Sequence, residues 1–247
     1  MDEEIGSEVA QFYVGGIPPL LRFEIEFHKL GYIVESHKDD RWYQKKNPAS
    51  EVAWVGLIAH FEAFCKHQFS ALINISPSLI SSFSSRRPQA SLKLSDVVPL
   101  LEQFEQNIGY LLAEQYDFGS SEKINGLFRD LLNITPFSQE EGKRFEGLLL
   151  KRHLLVHHAG VFTLQFLKQT SAPKSIKEQA FRESVEITTE QCNEMSNFLF
   201  EMSLKITCGT VRGLKAHIGD TPIDTTRRQA LELLLRGVHG DVDEDGW

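Results

Sequence analysis

Cysteine is scarce in this sequence, and long apolar runs are absent from it. The three cysteines, Cys65, Cys192 and Cys208, are far apart, odd in number and not arranged as CxxC. We therefore expect reduced buried thiols rather than a disulfide framework or a cysteine zinc site. No stretch of 18 uncharged apolar residues exists, so we expect neither a transmembrane helix nor a membrane partner.

The sequence also lacks a basic segment followed by an apolar core at its start. Residues 1–16 are acidic instead, which is unlike a secretory signal, and we expect a cytoplasmic protein. The 34 acidic residues exceed the 26 basic ones, for a net charge of −8, which argues against a protein that coats duplex DNA. A hydrophobic content of 41% excludes collagen-like, mucin-like and wholly disordered chains.

Helical periodicity dominates what is present, and capping residues mark two helix starts. Asn47 followed by Pro48 predicts a long helix that runs to about residue 75. Ser138 and Glu141 have the spacing of a capping box and begin a helix that Gly160 should end. Further helices are predicted over residues 20–30, from Ser95 or Asp96 to 112, from Ser120 or Ser121 to 132, from Thr188 or Thr189 to before Gly219, and over 226–237.

The segments between these helices are predicted to be irregular. Residues 76–94 are rich in serine and show little periodicity, which predicts an exposed loop that carries Arg86 and Arg87. Residues 161–167 show a weak alternation of apolar and polar side chains, which predicts a short extended segment. Residues 171–175 predict a turn. Because confident strands and internal repeats are absent, the predicted fold class is all-α, an up-and-down helical bundle with a long crossover loop.

One short segment, KRHLLVHHAG at residues 151–160, places Arg152, His153, His157 and His158 at the end of an otherwise apolar helix. Buried charge is costly without a partner, so these side chains need an explanation. His153 and His157 are four residues apart and share one helical face. Arg152 and His157 are five apart, which separates them by about 140° around an ideal helix. They converge if the helix loosens near His157, or if a second chain supplies the other half.

Arginine and histidine together are the pair that cleavage of an RNA phosphodiester requires. A guanidinium can bind two phosphate oxygens and stabilise the charge that builds in the transition state. Histidine titrates near neutral pH, so it can take a proton from the ribose 2′-hydroxyl or give one to the leaving 5′-oxygen. Because the 2′-hydroxyl is the nucleophile, we expect no metal and no other cofactor.

This run resembles the signature of the HEPN superfamily, R-x(4–6)-H, in its RHxxVHxxG form. The likeness extends to an early long helix, AWVGLIAHFEAFCKHQF, and to a short helix before the motif, INGLFRDLLNI, and covers about residues 48–210. It implies a helical bundle of HEPN type at residues 48–218. Residues 1–47 would then be an N-terminal helical extension, and residues 219–247 a C-terminal helix with an acidic tail.

The resemblance implies a metal-independent endoribonuclease of the kind often found in toxin–antitoxin or antiviral systems. By position, Arg152 would bind the scissile phosphate, His157 would be the general acid or base, and His153 would orient the substrate or the partner residue. His153 stands where Asn or Asp is more common, and His158 follows His157 directly, so either histidine could change the proton roles. Family members typically act as homodimers, so the expected partners are RNA, a second copy and an antitoxin or defence protein.

Other interpretations remain open. Many HEPN proteins are noncatalytic modules, and such a module would bind RNA, a nucleotide or a protein partner. A third possibility is a helical adaptor whose histidines only fill a dimer seam. For Arg152 and His157 themselves, the structural alternative is a helix-end pair that caps terminal carbonyls.

Further charged residues also have two interpretations. Glu62, a carboxylate in an apolar stretch, either pairs with Arg152 or faces solvent. His60 and His67 are seven residues apart, which is not the spacing of a metal-binding pair, so no metal site is predicted. The acidic tail from Asp241 copies only the first half of an EF-hand loop and is dismissed. Residues 143–152 carry four cations and one acid, which predicts a local positive pole beside the motif.

Overall fold

The computed structural model describes residues 6–36, 47–89, 91–170 and 180–235. The protein is all-α, as predicted; no sheet forms among these residues, and the β-bridge between Val161 and Ser184 is isolated. The α-helices are α1 (Ser7–Ala10), α2 (Pro19–Ser36), α3 (Pro48–Ile75), α4 (Leu79–Arg86), α5 (Leu94–Val97), α6 (Phe104–Ala113), α7 (Ser121–Leu132), α8 (Gln139–His158), α9 (Leu164–Gln169), α10 (Thr189–Ile218) and α11 (Thr225–Leu233). Short 3₁₀ helices cover Val14–Gly16 and Val98–Gln103.

The chain divides into two compact units. The terminal unit is drawn from Met1–Glu24, Glu62–Phe137 and Glu201–Trp247, and the motif unit from Ile25–Phe61 and Ser138–Phe200. Each of the long helices α3 and α10 contributes one part to each unit. No helix in the described parts of the chain combines the length and the apolar character needed to cross a membrane.

The predicted capping residues begin their helices as expected. Asn47 Oδ1 accepts a hydrogen bond from the backbone N–H of Ala49 (3.0 Å), which caps α3. Ser138 and Glu141 form the complete capping box at the start of α8, with bonds of 2.7 and 3.3 Å. Each bond satisfies a backbone or side-chain group that the first helical turn leaves unpaired.

The prediction of an exposed loop over residues 76–94 is wrong, because α4 forms there. Its Leu79 and Phe83 are four residues apart and fully buried, so they form the apolar face of the helix. The many serines around them make this periodicity hard to recognise in the sequence. Arg86 is exposed, but its Nη1 donates to the carbonyl oxygens of Arg129 (2.9 Å) and Asp130 (3.1 Å) at the end of α7. These bonds fill acceptors that a helix C-terminus leaves open.

Four further helix boundaries differ from the prediction. Helix α2 continues past Gly31 to Ser36, since Val34 is buried and its carbonyl accepts a bond from Asn47. The helix predicted from residue 95 begins at 94, and the segment with Pro99 in its first turn is 3₁₀ before α6 begins. Residues 164–169 are helical rather than extended. The last helix spans 225–233 rather than 226–237. The predicted turn at 171–175 and the acidic tail lie outside the described residues.

The terminal unit contains a close helix–helix approach at Gly109 of α6. A Cβ added there would meet the backbone oxygen of Ser70 and lie 2.7 Å from Oδ1 of Asn74, both on α3. Asn74 also accepts a bond from the Gly109 N–H (2.8 Å) and donates to the carbonyl of Phe12 (3.2 Å). Backbone atoms cannot rotate away as a flexible side chain does, so the two helices depend on glycine at this position.

We therefore expect Gly109→Ala to lower the free energy of unfolding by about 1–3 kcal/mol, the usual cost of overpacking. The matched control is Gly147→Ala on α8, where an added Cβ meets nothing within 4 Å. That control should raise stability by up to about 1 kcal/mol, because alanine is the better helix former. Urea unfolding of both variants measures the difference. Equal effects of the two substitutions would contradict the close approach.

Candidate functional site

Helix α8 carries the motif and is held against α3 by aromatic contacts within the motif unit. The rings of Phe61 and Phe145 meet edge to face with centroids 5.4 Å apart. Trp54 Nε1 donates to the carbonyl of Leu148 (3.3 Å), and Lys151 Nζ lies 5.0 Å from the centroid of the Trp54 ring. Trp54, Phe61 and Phe145 are buried, so the core fixes the position of the helix that presents the motif.

A second set of contacts ties α8 to α10. The Arg144 guanidinium lies 4.4 Å from the centroid of the Phe198 ring, and its Nη2 donates to the carbonyl of Glu194 (3.3 Å). Arg144 and Lys151, two cations of the predicted positive pole, thus also lie over aromatic rings. Partial burial lowers the pKa of Lys151. Sequence reasoning missed these contacts, because the aromatic partners are on other helices.

The motif helix ends where Gly160 was predicted to end it. Ala159 and Gly160 both have positive φ angles, of 49° and 78°, and the Gly160 N–H donates back to the carbonyl of Leu154 (2.9 Å). The Gly160 carbonyl accepts from the N–H of Val185 (2.8 Å), which holds the chain that follows the helix. Two successive left-handed residues reverse the chain immediately after His158.

Three histidines form one exposed cluster at this helix end. The ring of His153 lies 4.7 Å from that of His157 and 5.4 Å from that of His158, measured between centroids. All three side chains are exposed. Partial burial lowers the pKa of His153, and so does the charge of His157, His158 and Arg152. The predicted sharing of one face by His153 and His157 is confirmed.

Arg152 lies on the other side of the helix and is half-buried. Its Nε atom is buried and has no hydrogen-bond partner among the described residues. A buried donor without an acceptor is costly, so this Nε marks Arg152 as a residue whose place the packing alone does not explain.

The helical geometry separates Arg152 from His157 within one chain. Helix α8 stays α-helical through His158, so the loosening near His157 that would bring the two together does not occur. A regular helix therefore directs the two side chains about 140° apart. The remaining route to a joint site is a second chain that contributes the missing half.

Glu62 belongs to the terminal unit, where it is half-buried on α3. Its Oε1 lies 3.7 Å from the position of a Cβ on Gly119. Burial, and then the Glu62 charge, raise the pKa of the Cys65 thiol. The pairing of Glu62 with Arg152 stays a prediction.

The histidines of α3 lie in different units. His60 Nε2 is 3.8 Å from Oε2 of Glu26 in the motif unit. His67 is in the terminal unit, where burial and the charges of Arg22 and Lys66 lower its pKa to about 4. Within the described ranges, no group of three or more His, Cys, Asp or Glu side chains is arranged to hold a metal ion.

His67 makes stability depend on pH. Its folded pKa of about 4 lies below the ordinary 6.5, so the unfolded chain binds the proton more readily. The free energy of unfolding should therefore fall as the pH drops from about 6.5 to about 4. In His67→Gln that fall should be smaller, whereas His28→Gln, which changes an exposed histidine, should keep it. Urea unfolding at pH 7 and pH 4.5 measures both; the same fall in all three proteins would contradict the assignment.

No known protein family, curated protein or solved structure matches this chain.

Proposed function

We propose that this chain is a metal-independent endoribonuclease of HEPN type. The observation that carries the proposal is the end of α8, which presents a half-buried Arg152 with an unsatisfied Nε on one face and an exposed cluster of three histidines on another. A guanidinium can bind two oxygens of a phosphate, and imidazoles supply proton transfer at neutral pH. A toxin or antiviral effector is the setting that this activity suggests.

In this proposal the ribose 2′-hydroxyl attacks the adjacent phosphorus and the bond to the 5′-oxygen breaks. His157 either takes the hydroxyl proton or gives a proton to the leaving oxygen, water makes the other transfer, and Arg152 stabilises the added charge on the phosphate. The products are a 2′,3′-cyclic phosphate and a 5′-hydroxyl. His157 is the proton donor or acceptor, while His153 and His158 orient or support it.

The proposed active unit is a homodimer. Two facing copies of α8 would place Arg152 of one chain opposite His157 of its partner, which overcomes the angle of about 140° between them in one helix. Exposed apolar side chains on and after α8, Val156, Leu164 and Phe181, are 47%, 49% and 66% exposed and offer apolar surface for such a contact.

The test is incubation of the purified chain with RNA in excess EDTA, followed by analysis of the new ends. We expect cyclic phosphate and 5′-hydroxyl ends, and no cleavage of a strand with 2′-deoxyribose at the cleaved position. RNA that is bound but never cut would favour a noncatalytic module instead. Neither binding nor cleavage, together with loss of the dimer in His157→Ala, would favour a helical adaptor.

A further inference from the structure

We propose that His153 and His157 form a binding site for a divalent metal ion that prefers nitrogen ligands, such as Zn²⁺. This goes beyond the proposed ribonuclease, which uses no metal. An ion on these imidazoles is therefore a ligand that competes with the reaction, not a cofactor.

The spacing of the pair is that of a helical chelate. Residues four apart on an α-helix lie on the same face, and two histidines so placed bind zinc in metal sites built on helices. Both histidines are in α8, which stays regular through His158. Both are exposed, so an ion reaches them without opening of the core.

The observed ring separation fits two ligands of one ion. With Zn–N bonds of about 2.0–2.1 Å and N–Zn–N angles of about 90–110°, the centroids of two bound imidazoles lie about 4.5–5.2 Å apart. The centroids of His153 and His157 are 4.7 Å apart. The two rings are therefore already as far apart as they would be with one ion bound to both.

The site has two protein ligands, with water completing the shell. His158 lies edge-on to His153 at 5.4 Å, outside that range, and no group of three or more ligating side chains is arranged for a metal in the described parts of the chain. An open two-nitrogen site selects metals that favour imidazole, such as Zn²⁺, and not Mg²⁺, which prefers oxygen.

Occupation of the site has a direct consequence for RNA, and this consequence alone rests on the proposed function. Metal binding consumes the nitrogen lone pair that His157 needs to accept a proton, and it leaves no proton there to donate. Zn²⁺ should therefore inhibit cleavage in a way that EDTA reverses.

The test uses the full chain and ZnCl₂ alone, with calorimetry for affinity and imidazole NMR signals for the ligands. We expect one ion per chain, with the signals of His153 and His157 shifting together. His153→Ala and His157→Ala should each lower the affinity about tenfold or more, because one of two protein ligands is lost. The matched controls His158→Ala and His217→Ala, which also change exposed histidines, should bind Zn²⁺ as the wild type does. MgCl₂ should produce no shift.

Unchanged affinity in His153→Ala, one ion per two chains, or an equal loss in the His217→Ala control would overturn the proposal. The binding measurement contains no RNA, so a chain that binds Zn²⁺ but never cleaves RNA would reject the ribonuclease and keep the metal site. A chain that cleaves RNA and does not bind Zn²⁺ would do the reverse.

Discussion

Replacement of Arg152 by alanine is expected to lower the RNA cleavage rate by about 10²–10³-fold, the effect typical of removing one group that stabilises transition-state charge. The fold should survive, since the buried Nε of Arg152 makes no hydrogen bond within the described chain that the substitution would break. The cleavage rate of Arg152→Lys should lie between those of the wild type and Arg152→Ala. Lysine keeps the positive charge but cannot bind two phosphate oxygens with two parallel N–H groups. Single-turnover cleavage in EDTA, with thermal unfolding alongside, measures both effects.

Lys143→Ala is the matched control for Arg152→Ala. Lys143 is an exposed cation on the same helix, so its removal tests whether net positive charge alone supports cleavage. We expect its cleavage rate to stay within a few-fold of wild type. An equal loss in both variants would mean a general attraction for RNA, and undiminished cleavage in Arg152→Ala would remove arginine from the mechanism.

Mixing two inactive variants tests whether each site draws on two chains. In a dimer of Arg152→Ala with His157→Ala, one site lacks both groups and the other retains both, because a twofold axis pairs each arginine with the partner's histidine. Random mixing of equal amounts makes half of the dimers mixed, and each mixed dimer has one intact site out of two. About a quarter of wild-type activity should therefore return. If each site used Arg152 and His157 of one chain, the mixture would stay inactive.

The local signals in the sequence predict the motif helix well. A capping box, an apolar periodicity and a glycine at the end are all short-range features, and the structure has each of them at Ser138, in α8 and at Gly160. The contact between His153 and His157 follows from a spacing of four in any regular helix.

Features that depend on distant partners were beyond sequence reasoning. Helix α4 forms because Leu79 and Phe83 are buried, yet seven of the ten residues 76–85 are serine or proline, which favours a loop prediction. Lys151 and Arg144 lie over Trp54 and Phe198, about 97 and 54 residues away in the chain. Only the packing of the helices selects those rings, so the sequence predicted the positive pole but not the aromatic rings that two of its cations lie over.

His157→Ala is expected to lower cleavage of ordinary RNA by about 10²–10⁴-fold, the usual contribution of a positioned general acid or base. Stability should be unchanged, because the side chain is exposed and the helix is ended by Ala159 and Gly160. A substrate with sulfur in place of the leaving 5′-oxygen identifies the step, since a thiolate leaves without a proton. If His157 is the general acid, this substrate restores the rate of His157→Ala to near that of wild type. If His157 is the general base, the loss persists with sulfur. Cleavage of both substrates at the wild-type rate would contradict either role.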